Sequence, residues 1–243
     1  MADFRIGTSG YSYDAWRGTF YPEAVEEREM LRFYGTAFRT VEVGYTFLRT
    51  PNARTLQGWV RDTPPGFAFS LKAPRLITHD LQLRDAGEPL TSFCDVAAAL
   101  RDRVGALLFQ LPPFLRKDTP RLEDFLHQMP PGYRAAFEFR HPGWFADDVF
   151  ACLARFDAAL CLSDHDERAT PFVPTASFGY VRLRQQDYGA ESLRACAERL
   201  AAVASGWETA FVYFKHEAHG RGPQLARALA DLLDPAGAAA SAL

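Results

Sequence analysis

The sequence predicts a (β/α)8 barrel, because short apolar runs typical of buried strands alternate with segments of helical periodicity. Successive runs lie roughly 20 to 40 residues apart, which suits repeated strand–helix units of about 30 residues. The runs centre on Ile6, Val41, Phe69, Leu108, Phe137, Leu160, Val181 and Val212. An open doubly wound sheet is the alternative. The turn after the first run reads GTSG at positions 7–10 and lacks the G-x-G-x-x-G spacing of that class. The barrel is therefore favoured.

Helical periodicity is clearest in two of the segments between the runs. Apolar side chains recur at three- and four-residue intervals at Leu122, Phe125, Leu126 and Met129, and again at Leu225, Leu229, Leu232 and Leu233. Residues 93–100 and 145–153 show a similar pattern. The gap after the sixth run is the shortest, so we expect a shortened helix there. No linker divides the chain, so we predict one barrel domain over residues 1–235 and a flexible C-terminal tail over 236–243.

Composition and charge narrow the function classes. The chain of 243 residues is 48% hydrophobic and 23% charged, as in ordinary globular proteins, and its net charge of −3 gives no overall attraction to nucleic acid. No apolar run is long enough for a membrane span, and a predicted strand begins almost at the N-terminus, so we expect no signal peptide. The four cysteines match neither C-x-x-C nor a zinc spacing. We therefore expect reduced thiols, a cytoplasmic location and no membrane partner.

The run from residue 135 to 144 reads AAFEFRHPGW and carries charges in an unusual place. Phe137 and Phe139 share one face of the predicted strand, and the two charged residues share the other. Because the phenylalanines favour the face under the helices, Glu138 and Arg140 are expected to point into the barrel, where an unpaired charge costs at least roughly 2–7 kcal/mol. The ends of other runs repeat this alternation and direct further ionisable residues inward: Glu42, Lys72, Arg182, Arg184 and Lys215.

These inward charges indicate a ligand site, because the chemistry of such barrels lies at the carboxyl ends of the strands. Positive charges outnumber negative ones there, which predicts a small ligand that carries phosphate or carboxylate. We assign acid–base or nucleophilic roles to Glu42, Lys72 and Glu138. The predicted substrate-binding residues are Ser9, Tyr11, Tyr13, His79, Gln110, Arg140, Asp164, Arg182 and Lys215.

The structural alternative is that the same charges only close the barrel mouth as ion pairs. Glu42 would then pair with Lys72. Glu138 would pair with Arg140 on its own strand. Buried pairs of this kind add little net stability, and apolar replacements are often neutral. A purely structural role therefore does not explain why so many charged residues lie at the mouth, and a ligand site is favoured.

A divalent metal is a secondary expectation. The tripeptide DHD at positions 164–166 resembles a metal-ligand cluster and, with Glu42 and Glu138, could bind Mg²⁺, Mn²⁺ or Zn²⁺. Neighbouring strand residues point in opposite directions, however, and the nearby cations already offset the carboxylates. We therefore assign no metal ligand and expect no other cofactor. The sequence also lacks G-x-S-x-G and Walker motifs.

The predicted function is that of a hydrolase, lyase or isomerase acting on a small anionic, sugar-like metabolite. One alternative is a metal-dependent nucleic-acid phosphodiesterase or endonuclease-like barrel. That chemistry needs several histidine and carboxylate metal ligands, which the sequence does not supply, so nucleic acid is not the expected partner. The other alternative is an anion-binding protein without turnover.

Several motifs together resemble the DUF72, or YecE-like, family. They are GTSGYSY at 7–13, WRG at 16–18, FYP at 20–22, TVEV at 40–43, FSLKAP at 69–74, ITH at 77–79, LFQLPP at 108–113 and FEFRHPGW at 137–144. The resemblance implies a TIM-type barrel and supplies no reaction, because the family's activity is unassigned. The chain departs from the family pattern near Gly44, Leu48, Arg184 and Lys215, which are on the ligand side.

Overall fold

The computed structural model of the protein describes residues 2–164, 170–186 and 188–234. Short strands alternate with helices along the chain. The strands are β1 (Asp3–Thr8), β2 (Thr40–Val43), β3 (Ala68–Lys72), β4 (Val104–Gln110), β5 (Ala135–Glu138), β6 (Ala159–Leu160), β7 (Leu162–Ser163), β8 (Phe178–Leu183) and β9 (Thr209–Phe214). Only Cys161 separates β6 from β7, so these two are halves of one strand. The described residues thus form eight strands at the predicted positions.

All strand pairs are parallel, and the strands follow one another in chain order around a ring. One sheet has the order β2-β3-β4-β5-β6 and the other β1-β9-β8-β7. The split sixth strand joins the sheets on one side. On the other side, Ser9 bridges to Glu42, and the Gly10 N–H donates to the Glu42 carbonyl at 2.8 Å. The predicted (β/α)8 architecture is confirmed.

The helices lie between the strands in sequence. They are α1 (Glu27–Ala37), α2 (Ala53–Arg61), α3 (Gly87–Ala98), α4 (Thr119–His127), α5 (Asp147–Arg155), α6 (Ala190–Val203) and α7 (Arg221–Leu233). Residue chemistry sets their ends. The Asn52 side chain accepts the Thr55 N–H at 2.9 Å at the start of α2, and Asp118 accepts the Arg121 N–H at 3.1 Å at the start of α4. Helix α4 ends before Met129, which the periodicity had included, because a residue that precedes proline disfavours helical geometry.

Two separate apolar clusters confirm that successive strand residues face opposite sides. The larger cluster lies between the strands and the surrounding helices, where the Phe109 and Phe137 rings stack at 5.2 Å. The smaller cluster fills the barrel interior, and its side chains differ in size from one strand to another. Its small members are Ala68, Ala106, Ala136, Ala159 and Cys161, and its aromatic members are Phe178, Tyr180, Phe211 and Tyr213. Strands β3 to β6 thus contribute alanines and one larger aliphatic side chain, Leu108, while β8 and β9 contribute rings.

The connection after the sixth strand differs from the others. Residues 164 and 170–177 contain no helix, and the rest of that connection lies outside the described residues. Here two threonine side chains satisfy the strand's backbone. Thr175 Oγ1 accepts the Leu160 N–H at 2.8 Å, and Thr170 Oγ1 accepts the Ser163 N–H at 3.2 Å. The predicted tail at 236–243 also lies outside the described residues.

Candidate active site at the carboxyl end of the barrel

A buried arginine between two glutamates lies just below the barrel mouth. Arg182, on β8, donates from Nη2 to Glu42 Oε1 at 2.7 Å and from Nη1 to Glu138 Oε2. Glu42 is the penultimate residue of β2 and Glu138 is the last residue of β5, so the guanidinium spans the interior. Both glutamates are 1% exposed and Arg182 is 3% exposed. The strand alternation predicted that all three face inward, and the structure brings them together.

Glu42 has a full set of donors. The Ser9 hydroxyl donates to Oε1 at 2.6 Å, and the Tyr180 hydroxyl donates to Oε2 at 2.7 Å. Burial alone would raise the pKa of the Glu42 carboxyl, but Arg182 and these hydroxyls outweigh burial and hold the pKa below its usual range. Glu42 is therefore ionised at neutral pH, and its oxygens are already occupied.

Glu138 is held in the same state by a different set of cations. Besides Arg182, its carboxylate pairs with Arg140, which is 23% exposed and lies nearer the surface. Burial opposes ionisation, but Arg182, Arg184 and Arg140 together lower the pKa of Glu138 to about 2. The Gln110 amide oxygen is a further, longer acceptor for Arg182 Nη1 at 3.4 Å. The acid–base roles of Glu42 and Glu138 stay predictions.

Lys72 differs from these groups because it has no counter-ion among the described residues. It ends β3 and is half-buried, and its Nζ lies 3.9 Å from the centroid of the Phe47 ring. Burial and the nearby Arg182 lower its pKa to about 8, while the more distant Glu138 and Glu42 only partly oppose this. At slightly alkaline pH, half or more of the side chain is a neutral amine.

His79 lies next to this lysine in the π-helical turn Leu76–Asp80 that follows β3. Its ring packs edge-on against Phe47, with centroids 5.1 Å apart. Burial lowers its pKa, and the charges of Lys72 and Arg75 lower it further, so the imidazole is neutral at pH 7. The Phe47 ring thus contacts both an amine with a depressed pKa and a neutral imidazole.

Three more cations lie above the Arg182 layer: Arg140, Arg184 and Lys215. Arg184 Nε is buried and has no hydrogen-bond partner, and no carboxylate lies within ion-pair distance of its guanidinium among the residues that the structure describes. Burial and Arg182 lower its pKa. Lys215 is exposed, and partial burial of its amine, followed by Arg184 and Arg182, lowers its pKa. The charge of this layer is therefore not compensated as fully as that of the layer below.

The structure does not bring Asp164 to this group, contrary to our expectation. Its carboxylate accepts the Arg184 N–H at 2.7 Å and the Tyr188 hydroxyl. It lies with Cys196 and Arg199 along a cavity beside α6, outside the ring of strands. Cys161 faces inward, so the inward residue at this strand end is Ser163, two positions later. Applying the alternation to β7 would have identified it.

The two tyrosines predicted to bind substrate lie at the edge of the mouth. The Tyr13 hydroxyl donates to the Ser9 carbonyl at 2.8 Å and lies 3.4 Å from a carboxylate oxygen of Glu217. Tyr11 lines a cleft of about 380 Å³ between the loops that follow β1 and β2, together with Tyr45 and Trp59. Tyr13 thus borders the charged layer, whereas Tyr11 belongs to a neighbouring aromatic cleft.

Sequence reasoning missed two further contributors and one pairing. Tyr180, two residues before Arg182 on the same strand face, was not identified as a donor to Glu42. Phe47 was not assigned to the site, because its contact with Lys72 depends on how a loop folds. The expected pairing of Glu42 with Lys72 is replaced by Glu42 with Arg182. The pairing of Glu138 with Arg140 is present.

Three other findings bear on the predictions. Among the described residues, no group of three or more His, Cys, Asp or Glu side chains could hold a metal ion, and positions 165 and 166 lie outside them. All four cysteines are free. In the described part of the chain, no helix has both the length and the apolar character needed to cross a membrane.

Known proteins resemble the chain in sequence and in structure. The family described as "Protein of unknown function DUF72" matches residues 5–242. The UPF0759 protein YecE of Escherichia coli is 32% identical over 117 residues, which are 48% of this chain and 43% of YecE. The match thus spans less than half of that relative.

Solved structures extend the likeness over the whole fold. The crystal structure of a DUF72 family protein from Thermotoga maritima has a TM-score of 0.86 at 24% identity and covers 96% of this chain and 99% of its own. An L-ribulose 3-epimerase structure has a TM-score of 0.57 at 14% identity, over 99% and 97% of the two chains, and shows a similar fold. The motifs, the barrel and the match over residues 5–242 agree, and the chain belongs to the DUF72 family.

Proposed function

We propose that the protein is an enzyme that acts on a small metabolite bearing phosphate or carboxylate at the carboxyl end of the barrel. One observation carries this proposal. Arg182 is neutralised by two carboxylates, whereas no carboxylate pairs with Arg184 above it among the described residues. The buried Nε of Arg184, like that of Arg182, has no hydrogen-bond partner there. A buried donor of this kind costs about 1–3 kcal/mol when it is left unsatisfied. An anionic ligand group would supply the missing acceptor.

The proposed roles follow from depth in the barrel. Arg184 and Lys215 bind the anionic group from the mouth, and Arg140 contributes a further positive charge there. The layer below, with Arg182 at its centre, fixes the floor of the site in one geometry. Lys72 transfers protons, because an amine with a pKa of about 8 exchanges its proton readily near neutral pH.

Binding of simple anions tests the first part of the proposal. Glycerol 3-phosphate and inorganic phosphate are expected to bind in calorimetric titrations, whereas glycerol is not. Arg184→Met should weaken phosphate binding at least about tenfold, because a charge-assisted hydrogen bond is worth about 1.5–3 kcal/mol. The matched control is Arg194→Met, because Arg194 is exposed on α6. Equal binding of glycerol and glycerol 3-phosphate, or no effect of Arg184→Met, would refute the anion site.

A screen of phosphorylated and carboxylated metabolites for turnover tests the second part. With any compound that is turned over, Lys72→Met should reduce kcat while the phosphate affinity is retained. Lys117→Met is the control, because Lys117 forms an exposed ion pair with Asp148 and is not one of the residues assigned to the site. Unchanged turnover in Lys72→Met would refute the role of Lys72. Retained binding without turnover of any compound would favour the non-catalytic alternative.

A further inference from the structure

The chain uses lysine very sparingly, and this singles out the barrel mouth. Of its 27 lysines and arginines only three are lysines, namely Lys72, Lys117 and Lys215. Two of the three lie at strand ends at the mouth: Lys72 is the last residue of β3, and Lys215 directly follows β9. Elsewhere in this chain, arginine supplies nearly all positive charge. A lysine among arginines indicates a need that a guanidinium does not meet, and an amine differs chiefly in being able to lose its proton.

The surroundings of Lys72 keep its amine available. Nζ lies 3.9 Å from the centroid of the Phe47 ring. Burial and the charge of Arg182 lower the pKa of the amine to about 8, and Glu138 and Glu42 offset this only in part. No described residue forms an ion pair with it. By contrast, Lys117 Nζ lies 3.0 Å from both carboxylate oxygens of Asp148. Desolvation and a neighbouring cation activate a lysine as a nucleophile, and here they outweigh the cation–π contact with Phe47, which favours the charged form.

His79 contacts the same Phe47 ring as this amine and offers a proton acceptor on that side of the mouth. The Thr78 hydroxyl donates to the Pro74 carbonyl at 3.3 Å and lies 2.9 Å from His79 Nδ1. One ring nitrogen of the neutral imidazole is an acceptor in either tautomer. A neutral imidazole beside an amine can accept a proton in one step and return it in the next.

We propose that Lys72 Nζ is a nucleophile that forms an imine with an aldehyde or ketone, and that the carbonyl compound also carries the phosphate or carboxylate bound by Arg184 and Lys215. This inference rests on the proposed function for its anion site and names the substrate class. The amine lone pair forms the new C–N bond, and the carbonyl π electrons move to oxygen. The oxygen then leaves as water with the two amine hydrogens, so that carbonyl and amine yield imine and water. His79 relays these protons.

Reductive trapping tests the inference. The full chain is incubated at pH 8 with glyoxylate or D-glyceraldehyde 3-phosphate and sodium cyanoborohydride, which delivers hydride to the C=N bond and leaves a stable secondary amine. Peptide mapping by mass spectrometry then reports each lysine separately. Lys72 should be labelled at least tenfold faster than Lys117. Lys72→Arg should remove this fast labelling, and Lys215→Arg should retain it with glyoxylate at reduced rate.

The outcomes separate this inference from the function on which it rests. Labelling of Lys72 no faster than that of Lys117 would overturn the imine, while phosphate binding that depends on Arg184 would leave the proposed function standing. Inorganic phosphate should compete with D-glyceraldehyde 3-phosphate for the site. The anionic substrate class would be overturned if phosphate did not slow the labelling of Lys72 and if neutral glyceraldehyde labelled Lys72 as fast as D-glyceraldehyde 3-phosphate does.

Discussion

Replacing Arg182 by methionine should destabilise the protein strongly and in a pH-dependent way. Methionine keeps most of the length and the apolar volume but removes the charge between Glu42 and Glu138. The pKa of Glu138 falls from 4.5 to about 2 in the folded protein, which corresponds to about 3 kcal/mol. Breaking a buried pair by removing one partner costs about 3–5 kcal/mol. We therefore expect a loss of about 3–5 kcal/mol at pH 7.5 and a fall in Tm of about 10 °C.

The sign of the pH dependence follows from the carboxylates. In the native protein the folded pKa of Glu138 is depressed, so its stabilisation is present above pH 4.5 and is lost as the pH falls towards 2. Without Arg182, burial is opposed less, and the pKa values of Glu138 and Glu42 rise. Both carboxyls then take up protons at higher pH, and the difference from the native protein shrinks as the pH falls from 7.5 to 5.5.

Urea unfolding followed by fluorescence of the buried Trp16 and Trp144 at both pH values measures this effect. Arg155→Met is the control, because the pair of Arg155 with Glu123 is exposed, at 58% and 37% of the two side chains. That variant should be close to the native protein in stability, because exposed ion pairs contribute little. If Arg182→Met costs no more than Arg155→Met, or if its cost is unchanged at pH 5.5, the carboxylates do not depend on Arg182 as reasoned.

Three further predictions concern the interior and the mouth. Tyr180→Phe removes a hydrogen bond to a carboxylate and should cost about 1.5–3 kcal/mol in urea unfolding; a loss below about 0.5 kcal/mol would contradict this. Gly7→Ala places a Cβ 2.3 Å from a backbone oxygen of β2 and should cost about 1–3 kcal/mol by the same assay, while Gly44→Ala meets open space and should be nearly neutral. The rate of reductive labelling of Lys72 should rise with pH and level off above about 8, since only the free amine reacts; a rate that is flat between pH 6 and 8 would oppose the depressed pKa.

The fold was predictable because its signals are local. Each strand is a short apolar run, and the side-chain period of two indicates the inward-facing residues without knowledge of the neighbours. This reasoning placed Glu42, Glu138 and Arg182 inside the barrel before the strands were paired. It failed for Asp164 because the alternation was not carried through Cys161, where the sixth strand is interrupted.

The pairing of the charges was not predictable from alternation. The period of two indicates the face of a residue but not how far its side chain reaches across the interior. Arg182 is long enough to reach glutamates on β2 and β5, and it takes the place that Lys72 was expected to fill opposite Glu42. The amine of Lys72 is turned towards Phe47 instead. That contact depends on the loop after β2, whose path no periodic pattern describes.

The distribution of large and small side chains in the barrel interior limits which substitutions could enlarge the site. The Tyr180 ring occupies space in the interior, and its hydroxyl anchors a carboxylate of the floor, so bulk and electrostatics are linked in one side chain. Replacing Tyr180 by a smaller residue to enlarge the interior would also remove a hydrogen bond to Glu42. The alanines of β3 to β6 carry only a methyl group, so their replacement would gain little volume. Selection for a bulkier substrate would therefore act on the loops above the floor, and the floor itself would be inherited almost unaltered.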